Sequence, residues 1–495
     1  MRRRAFAILA AALFILLARL PLKPGGADKV SADLLKAMSG ASADPGAPLR
    51  VWVYFGDKGV TGGGPLRSAL AKSRRELAAH AQWRRAKVRP EASLVDFEDL
   101  PVRADYQAQA LARALRVRTV SRWLNAVSVD ATPDGVWSLA SLDGVERLDI
   151  VRAFRRGETP DLEASSRLED TAMGRSGEAA PAAPRDPVYG RSYPQLSQIN
   201  VPALHKLGLS GRGVVVAILD VGFHWSHEVF RQGRLIAQRD FVFKDADVMQ
   251  NAADPADFSD AHGTATWSLL GGFRFGAMVG PAFGADILLA KTEVGSSEKP
   301  IEEDYWTAGI EWAESRGADV VSSSLGYTDW YTFAAMDGKT AVTTKAANRA
   351  VSLGVVVVNA AGNERRNVWA HIIAPADGYG VIAVGAVDSA GKIASFSSPG
   401  PTADGRIKPE VCAWGVSNLV AAVAKDGTDT YVTGSGTSYA TPLVAGVVAL
   451  LLEAHPEWTP TQVRNALMNT AGNAVAPNND YGWGIVNALA ALSYR

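Results

Sequence analysis

Through residues 188–495, short apolar runs alternate with stretches of helical periodicity. Several of these runs have strand length, are rich in β-branched residues and stay apolar without alternation, which is typical of strands buried on both faces. They are Val214–Leu219, Ile287–Lys291, Val320–Ser323, Val355–Val358 and Val381–Val387. Helices are predicted at 263–271, 302–316, 341–353 and 438–454. A last helix begins after Thr459, which forms a capping box with Gln462. The pattern predicts a doubly wound α/β domain with a mainly parallel sheet flanked by helices, and a ligand site at the carboxyl ends of its strands.

The region before residue 157 has a different order of elements. Its pattern predicts strands at Leu49–Phe55, Val117–Val129 and Val145–Phe154, and helices at Ser68–Lys87, Ala104–Leu115 and Pro133–Leu142. This order predicts a small α/β domain with antiparallel pairing over 47–156. Residues 157–187 contain no Ile, Val or aromatic residue and are rich in Gly, Ala, Pro and charge, so they are predicted to be a linker.

The N-terminus carries an export pattern. Arg2, Arg3 and Arg4 precede an apolar run at 5–18, which predicts a removable signal peptide over 1–27 and a secreted or periplasmic protein of the bacterial type. The run is shorter than the roughly 20 residues that a spanning helix needs, so a stable membrane span is not predicted. An uncleaved membrane anchor is the alternative interpretation.

Composition narrows the classes of function. The chain has 495 residues, and its 51 Lys+Arg balance its 51 Asp+Glu, so nothing points to nucleic acid as a partner. A hydrophobic fraction of 47% excludes wholesale disorder. Cys412 is the single cysteine, which excludes an intrachain disulfide, and its apolar neighbours predict a buried thiol rather than a reactive one.

Four polar residues stand at strand ends or helix starts. Asp220 ends an apolar strand, His262 begins a helix, and Asn363 follows a strand in a position to donate its amide to an oxyanion. Ser438 follows a Gly-rich loop at the start of a long apolar helix, where the helix dipole favours negative charge. A serine there needs a base to become a nucleophile. The structural alternatives are a cap for Asp220 and Ser438, a turn residue for Asn363, and a solvated or core histidine for His262.

A metal site is a competing interpretation of the same region. His224 and His227 are three residues apart and close to Asp220 in the sequence. Neither a cysteine nor a clear set of acidic ligands completes such a site, so no metal site is predicted.

Taken together and in this order, the four residues resemble the subtilisin-like serine proteases (subtilases, the peptidase S8 family). The matching segments are AILDVG, HGT, AAGNE and GTSYATP, and the resemblance covers about residues 195–495. The order Asp-His-Ser separates it from α/β-hydrolases and from chymotrypsin-like enzymes. The resemblance implies a catalytic triad of Asp220, His262 and Ser438, with Asn363 in the oxyanion hole and polypeptides as substrates.

The resemblance also implies a substrate-binding cleft. Ser324, Leu325 and Gly326 match the family segment that pairs with the substrate and lines one side of the S1 pocket. Ala361 and Gly362 match the segment that lines the other side.

The smaller N-terminal region is similar to the propeptides of this family. Those domains assist folding and block the cleft until they are removed, so the resemblance implies a zymogen with its own propeptide as an intramolecular inhibitor. The sequence requires no cofactor. Calcium is implied by the family resemblance alone, with oxygen ligands available in the acidic segment Asp245–Asp260.

Departures from the family pattern qualify this interpretation. Val221 stands where the family usually has Thr or Ser, which puts the hydrogen-bond support of Asp220 in doubt. Thr266 lies in an Ala-Thr-Trp segment where His-Val-Ala is common, a change expected to affect helix packing. Residues 411–415 replace a usual Pro-containing turn.

The prediction is an exported serine endopeptidase made as a zymogen. A catalytically inactive binding protein and an esterase with the same triad are the alternatives.

Overall fold

The computed structural model describes residues 26–40, 48–154, 186–245, 247–251, 254, 259–293, 301–328 and 331–495. The predicted signal peptide as far as Gly25 and most of the predicted linker lie outside the described residues.

The α-helices, in chain order, are α1 (Ala32–Gly40), α2 (Gly63–Glu76), α3 (Ala79–Ala86), α4 (Ala104–Leu111), α5 (Pro133–Ala140), α6 (Tyr193–Ser197), α7 (Val201–Lys206), α8 (Ala261–Gly271), α9 (Glu303–Arg316), α10 (Val342–Ser352), α11 (Thr437–Ala454), α12 (Pro460–Thr470) and α13 (Ala488–Leu492). Short 3-10 helices lie at Ala27–Lys29, Glu91–Ser93, Phe97–Asp99, Glu228–Phe230 and Phe333–Ala335.

The strands are β1 (Leu49–Phe55), β2 (Arg116–Ser121), β3 (Ala126–Ala131), β4 (Val145–Ile150), β5 (Ala153–Phe154), β6 (Val215–Asp220), β7 (Arg234–Asp240), β8 (Phe273–Arg274), β9 (Met278–Val279), β10 (Asp286–Lys291), β11 (Ile301–Glu302), β12 (Val320–Ser323), β13 (Val356–Ala360), β14 (Ile382–Val387), β15 (Val411–Trp414), β16 (Asn418–Val423) and β17 (Asp429–Gly434).

These elements form two compact units. The first combines Met1–Val60 with Pro101–Val151, and the second combines Thr61–Leu100 with Arg152–Arg495. The units are therefore interleaved in the sequence, because Thr61–Leu100 packs with the larger C-terminal part of the chain.

The first unit is built on a four-stranded antiparallel sheet in the order β2-β3-β1-β4. Val51, Val53 and Leu148 are fully buried in its core. The sequence-based expectation of one strand over Val117–Val129 is wrong. The segment is a hairpin of β2 and β3, because Asn125 adopts a positive φ that turns the chain and that Asn tolerates better than most residues.

The second unit contains a seven-stranded parallel sheet in the order β15-β14-β13-β12-β6-β10-β7. The prediction of a doubly wound, mainly parallel sheet is confirmed. Ile218 belongs to the core cluster that contains residues of α8 and α11, whereas a Cβ built on Gly309 of α9 would lie 3.4 Å from Leu219. Neighbouring strand residues point to opposite faces, so helices cover both faces of the sheet.

Two further expectations about element boundaries are wrong. The single helix expected at Ser68–Lys87 is two helices, α2 and α3, separated at Leu77, whose extended backbone ends α2. The single strand expected at Val145–Phe154 is divided into β4 of the first unit and β5 of the second unit. The capping box predicted at Thr459 is confirmed at the start of α12.

Helix α11 is the central helix of the larger core. Within the described residues it alone is long and apolar enough to cross a membrane by length and composition, and 89% of its tested window is buried inside the structure. It packs against α8 and under strands β12–β15. These contacts are those of a core helix.

Candidate active site

The predicted site residues lie at one edge of the parallel sheet. Strands β6, β12 and β13 are neighbours, and they end at Asp220, Ser323 and Ala360. Because the carboxyl ends of parallel strands share one edge, the segments that follow these strands meet there. The N-terminus of α11 carries Ser438 and reaches Ser324, directly after β12, through hydrogen bonds.

Asp220 and His262 form a buried pair. The Nδ1 atom of His262 lies 2.7 Å from Oδ1 of Asp220, which is fully buried. His262 is the second residue of α8 and is 9% exposed. Hydrogen bonding at Nδ1 leaves Nε2 as the nitrogen that can accept a proton, which is the arrangement a general base needs.

Gly263 makes this close approach of α8 to β6 possible. A Cβ at residue 263 would lie only 2.0 Å from the carbonyl oxygen of Gly222, so any larger residue would push the helix away from the strand. The glycine after His262 therefore positions the imidazole beside the carboxylate.

The hydroxyl support that Val221 cannot supply comes from Thr266. Its Oγ1 donates a hydrogen bond of 2.9 Å to Oδ2 of Asp220, while the backbone N–H of Val221 donates one of 2.8 Å to Oδ1. The expectation that the departure at Thr266 affects only helix packing is therefore wrong. His262 and Thr266 are four residues apart on α8, so both side chains face Asp220 from the same side of the helix.

Ser438 lies in the first turn of α11 and is 5% exposed. Its Oγ donates a hydrogen bond of 3.2 Å to the carbonyl oxygen of Ser324, and Oγ of Ser324 donates one of 2.8 Å to the carbonyl oxygen of Ser438. The next residue, Tyr439, places its ring centroid 5.8 Å from that of His262. The serine thus lies at a helix N-terminus, where the dipole stabilises negative charge.

The side-chain amide of Asn363 is oriented by α11. Its Oδ1 accepts hydrogen bonds from the backbone N–H of Thr437 at 2.9 Å and from Oγ1 of Thr437 at 3.0 Å. This arrangement directs the Nδ2 donor away from Thr437. A Cβ built on Gly436 would lie 3.5 Å from that Nδ2, so the amide faces the Gly-rich loop before Ser438.

The predicted substrate-binding segments are close to these residues and largely buried. Leu325 is buried, and its carbonyl oxygen accepts a hydrogen bond from the Asn359 amide at 3.0 Å. A Cβ at Gly326 would lie 2.1 Å from the Cδ1 atom of Ile373, so a larger residue there would require the Ile373 side chain to move.

The second predicted wall of the cleft is anchored at Ala361 and Gly362. Ala361 is fully buried and is hydrogen-bonded through its backbone to β14 and to Ile373. Gly362 has φ +109, a conformation that favours glycine, and its N–H lies 3.3 Å from Oγ1 of Thr437.

A short strand that precedes the predicted linker pairs with the segment directly before α9. Strand β5 pairs antiparallel with β11, directly before α9, and the Glu303 N–H donates to the carbonyl oxygen of Arg152 at 3.1 Å. The Arg152 guanidinium lies 4.6 Å from the ring centroid of Tyr331. Tyr331 in turn donates a hydrogen bond of 2.7 Å to the buried carboxylate of Glu303. The N-terminal end of α9 thus holds an extended segment of the chain.

The residues considered as metal ligands have protein partners. Nδ1 of His227 accepts from Val229 N–H, Nε2 lies 3.2 Å from the carbonyl oxygen of Thr430, and burial lowers the pKa of this imidazole. Nδ1 of His224 lies 3.5 Å from the carboxylate of Asp260.

The described carboxylates of the Asp245–Asp260 segment take part in hydrogen bonds within the protein. Those of Asp245, Asp254 and Asp260 each accept a hydrogen bond from a backbone N–H. Across the described stretches of the chain, no group of three or more His, Cys, Asp or Glu residues is arranged to hold a metal ion.

Sequence reasoning missed two contributors to this site. Thr266 was detectable from its position four residues after His262, which places both on one helix face. Thr437, which orients Asn363, gave no such signal, because its two bonds depend on how the loop after β13 meets α11.

Two family models match the chain. The model of the subtilase family (peptidase S8) matches residues 211–484, which include Asp220, His262, Asn363 and Ser438. The model described as the peptidase S8 propeptide domain of Bacteroidota matches residues 50–166.

Several characterised proteins are similar to the C-terminal part. The chain is 36% identical to subtilisin E of Bacillus subtilis (strain 168) over 309 residues, which are 61% of this chain and 72% of that protein. It is 35% identical to the subtilisin of Bacillus pumilus over 300 residues, which are 60% of this chain and 97% of that protein. It is 32% identical to subtilisin Savinase of Lederbergia lenta over 297 residues, which are 60% of this chain and 97% of that protein.

Two solved structures share the fold. Fervidolysin from Fervidobacterium pennivorans, described as a keratinolytic enzyme related to subtilisin, matches with a TM-score of 0.59 at 23% identity. The match covers 90% of this chain and 61% of fervidolysin, so the chain spans about three fifths of that structure, and at this identity the likeness shows the fold alone. A protease structure from Pseudoalteromonas arctica PAMC 21717 matches with a TM-score of 0.51 at 27% identity, over 63% of this chain and 99% of that one.

Proposed function

The chain belongs to the subtilase family and is a subtilisin-like serine peptidase with a propeptide domain, and from this premise we propose that it is an endopeptidase with the catalytic triad Asp220, His262 and Ser438. The observation that carries the proposal is the 2.7 Å hydrogen bond between His262 and the buried Asp220, at the sheet edge that Ser438 reaches. This pair holds the imidazole in the tautomer that a general base requires.

In the proposed reaction, Oγ of Ser438 attacks the carbonyl carbon of the scissile peptide bond while His262 takes the hydroxyl proton. The Asn363 Nδ2 and the backbone N–H of Ser438 stabilise the oxyanion of the tetrahedral intermediate. His262 then gives the proton to the leaving amine as the acyl-enzyme forms. A water molecule hydrolyses the acyl-enzyme with His262 again acting as the base. Asp220 stays ionised and stabilises the imidazolium.

The substrate is proposed to lie along Ser324–Gly326 on one side and Ala361–Gly362 on the other. Pairing with a strand edge gives affinity for any extended polypeptide, while side-chain pockets determine preference. The burial and fixed backbone of both segments support this assignment, because a cleft wall must be rigid to hold a peptide bond in register.

Peptide hydrolysis tests the proposal on chains that an unrelated site-specific protease has cut within 156–190, because the Ser438→Ala chain is not expected to process itself. The Ser438→Ala variant is expected to lose casein cleavage, and Asn363→Ala is expected to lower kcat by roughly 10²–10³ with little change in KM. Asn367→Ala is the matched control, because Asn367 is an exposed asparagine in the same loop. Casein cleavage that persists in Ser438→Ala would overturn the assignment, and reaction with a serine probe without any peptide cleavage would favour an esterase.

The enzyme is further proposed to be a zymogen whose N-terminal region inhibits it until the chain is cut within roughly 156–190. Support comes from the propeptide model, which matches residues 50–166, and from β5, which pairs with β11 directly before α9. Strand pairing of this kind is a general way for an extended polypeptide to bind a protein, which supports the proposal.

Self-processing is tested by comparing chains after expression. The Ser438→Ala chain is expected to accumulate with its N-terminal region attached, whereas the wild-type chain is expected to be cut within roughly 156–190. Equal migration of the two chains on a denaturing gel would contradict self-processing.

Export to the periplasm or the medium is proposed from the basic and apolar pattern at residues 2–18. Cell fractionation tests it. We expect the mature protein outside the cytoplasm, and an Arg2–Arg4 to Glu replacement should retain it inside.

A further inference from the structure

One side chain lies between the two proposed walls of the substrate cleft. The walls are residues 324–326, directly after β12, and residues 361–362, directly after β13. The side chain is that of Ile373, which lies between β13 and β14 in the sequence and is 5% exposed. Its burial places it beneath the surface of the molecule, at the depth where the floor of a pocket lies.

The backbone at Ile373 is hydrogen-bonded to both walls. The N–H of Ile373 donates to the carbonyl oxygen of Ala361, in the second wall, at 3.2 Å. The N–H of Tyr327, the residue after the first wall, donates to the carbonyl oxygen of Ala374 at 2.9 Å, and these two residues form an antiparallel bridge. Residues 373–374 thus connect the two walls, and these bonds fix the position from which the Ile373 side chain extends.

The side chain of Ile373 takes the space that two glycines leave open. A Cβ built on Gly326 would lie 2.1 Å from Cδ1 and 2.4 Å from Cγ1 of Ile373. A Cβ built on Gly362 would lie 3.1 Å from Cγ2 and 3.2 Å from the same Cδ1. Since a Cα–Cβ bond is about 1.5 Å long, one methyl group lies within about 5 Å of both glycine α-carbons. The gap between the walls is therefore already occupied at this depth.

The surroundings of Ile373 hold its side chain in place. A β-branched side chain is stiff at χ1, and a closely packed interior offers few voids into which it could move. A large substrate side chain that entered between the walls would have to displace Ile373, and overpacking of this kind is unfavourable. A hydrogen atom or a methyl group in the same place requires no such displacement.

We propose that Ile373 forms the floor of the S1 pocket, which receives the residue before the scissile bond, and makes that pocket shallow. The enzyme then cleaves after Gly, Ala and Ser and disfavours cleavage after Phe, Tyr and Leu. Ile373 is a specificity-determining residue and takes no part in the chemistry at Ser438. The inference rests on the proposed function, because it requires residues 324–326 and 361–362 to bind the substrate on either side.

Competition between two peptides measures this preference. All chains are first cut within 156–190 by an unrelated site-specific protease, so that no variant depends on its own processing. The peptides have the sequence around the casein bond that the wild-type enzyme cuts most often, as mapped by mass spectrometry, and differ only in having Ala or Phe before that bond. Both are digested in one mixture, so the ratio of their kcat/KM values does not depend on the fraction of active enzyme.

The wild-type enzyme is expected to favour the Ala peptide by roughly a hundredfold, since one methylene group too many in a pocket already costs roughly 10–200-fold. Ile373→Ala removes Cγ1, Cγ2 and Cδ1, the three atoms that lie against the glycines, and should reduce this ratio by about tenfold or more. Ile373→Val removes Cδ1 alone and should reduce the ratio to a smaller extent. Ile372→Ala is the matched control, because it removes the same three atoms from the neighbouring, fully buried isoleucine and should leave the ratio unchanged.

Equal cleavage of the two peptides by the wild-type enzyme would overturn the inference, as would an unchanged ratio in Ile373→Ala or an equal change in Ile372→Ala. If circular dichroism shows that Ile373→Ala does not fold, Ile373→Val takes its place, because loss of a single methyl group destabilises a core least. An unchanged ratio in folded Ile373→Val would then overturn the inference. Peptide cleavage that persists in Ser438→Ala would contradict the proposed function instead, so the two failures are distinguishable.

Discussion

At the scale of single residues, the site divides its tasks between side chains that touch the reacting atoms and side chains that orient them. Asp220 accepts hydrogen bonds from Val221 N–H and from Thr266, which fix both of its oxygens while His262 binds one of them. The sequence pointed to the carboxylate and the imidazole. The role of Thr266 depends on how α8 lies against β6, which no local pattern specifies.

Removal of the Thr266 hydroxyl tests its role as a positioning residue. A hydrogen bond to a charged group contributes about 1.5–3 kcal/mol, so Thr266→Val is expected to lower kcat by about tenfold or more. KM should stay unchanged, because the carboxylate acts through His262 rather than on bound substrate.

Thr266→Ser is the matched control and should retain near wild-type kcat, because it keeps the hydroxyl. Steady-state kinetics on a peptide substrate measures both constants. A rise in KM at constant kcat, or equal losses in the Ser and Val variants, would show that Thr266 is a packing residue instead.

The buried thiol gives a second prediction at this scale. Cys412 is fully buried in β15, and burial raises its pKa to about 12 from an ordinary value of 9.0. The thiolate is the reactive form, so the folded protein should not react with iodoacetamide at pH 8.5, whereas the same chain in denaturant should take up one equivalent. Intact mass spectrometry measures the uptake, and rapid labelling of folded protein would contradict the prediction.

At the scale of elements, the pattern of apolar residues predicted the central strands of the parallel sheet and its helices, but it did not predict every strand. The central strands β6, β12 and β13 were identified from their continuous apolar runs. Strand β7 was missed because it lies at the sheet edge and carries charged residues, and apolarity on both faces marks only strands inside a sheet. Strands β4 and β5 were predicted as one strand over 145–154, because the sequence pattern of both stretches is that of an extended chain.

The ion pair between Asp96 and Arg349, near the end of α10, gives a pH prediction at this scale. Burial favours the neutral form of Asp96, but hydrogen bonds from Arg349 and Arg89 outweigh it and lower the pKa of this carboxyl to about 2. Glu98 and Asp99 are the acidic groups beside it. Because the folded pKa lies below the ordinary 3.8, the contribution of Asp96 is complete above about pH 4 and is lost as the pH falls through 2.

The comparison of wild type with Asp96→Asn isolates this contribution. In the intact Ser438→Ala chain, Asp96→Asn should lower the free energy of unfolding at pH 6, and the difference from wild-type Asp96 should shrink between pH 4 and pH 2. Denaturant unfolding over this pH range measures the difference. A difference that stays constant down to pH 2 would show that the carboxylate of Asp96 does not stabilise the fold as an anion.

At the scale of the whole molecule, the sequence predicted the fold class, and it predicted that the segments of the site meet at one edge of the sheet. It did so because Asp220, His262, Asn363 and Ser438 each stand at a strand end or a helix start, and a parallel sheet gathers strand ends. It could not predict that Thr61–Leu100 packs with the C-terminal part. That contact depends on pairs more than 200 residues apart, such as Arg84 with Glu314, and neither residue has a distinctive local pattern.

The most direct test of the central claim is the site of reaction with a fluorophosphonate. The processed enzyme should gain one adduct by intact mass, peptide mapping should place it on Ser438, and the Ser438→Ala chain should gain none. His262→Ala should slow the reaction strongly while the protein stays folded, because the serine then has no base. An adduct on another residue, or equal labelling of the wild-type and Ser438→Ala chains, would contradict the account.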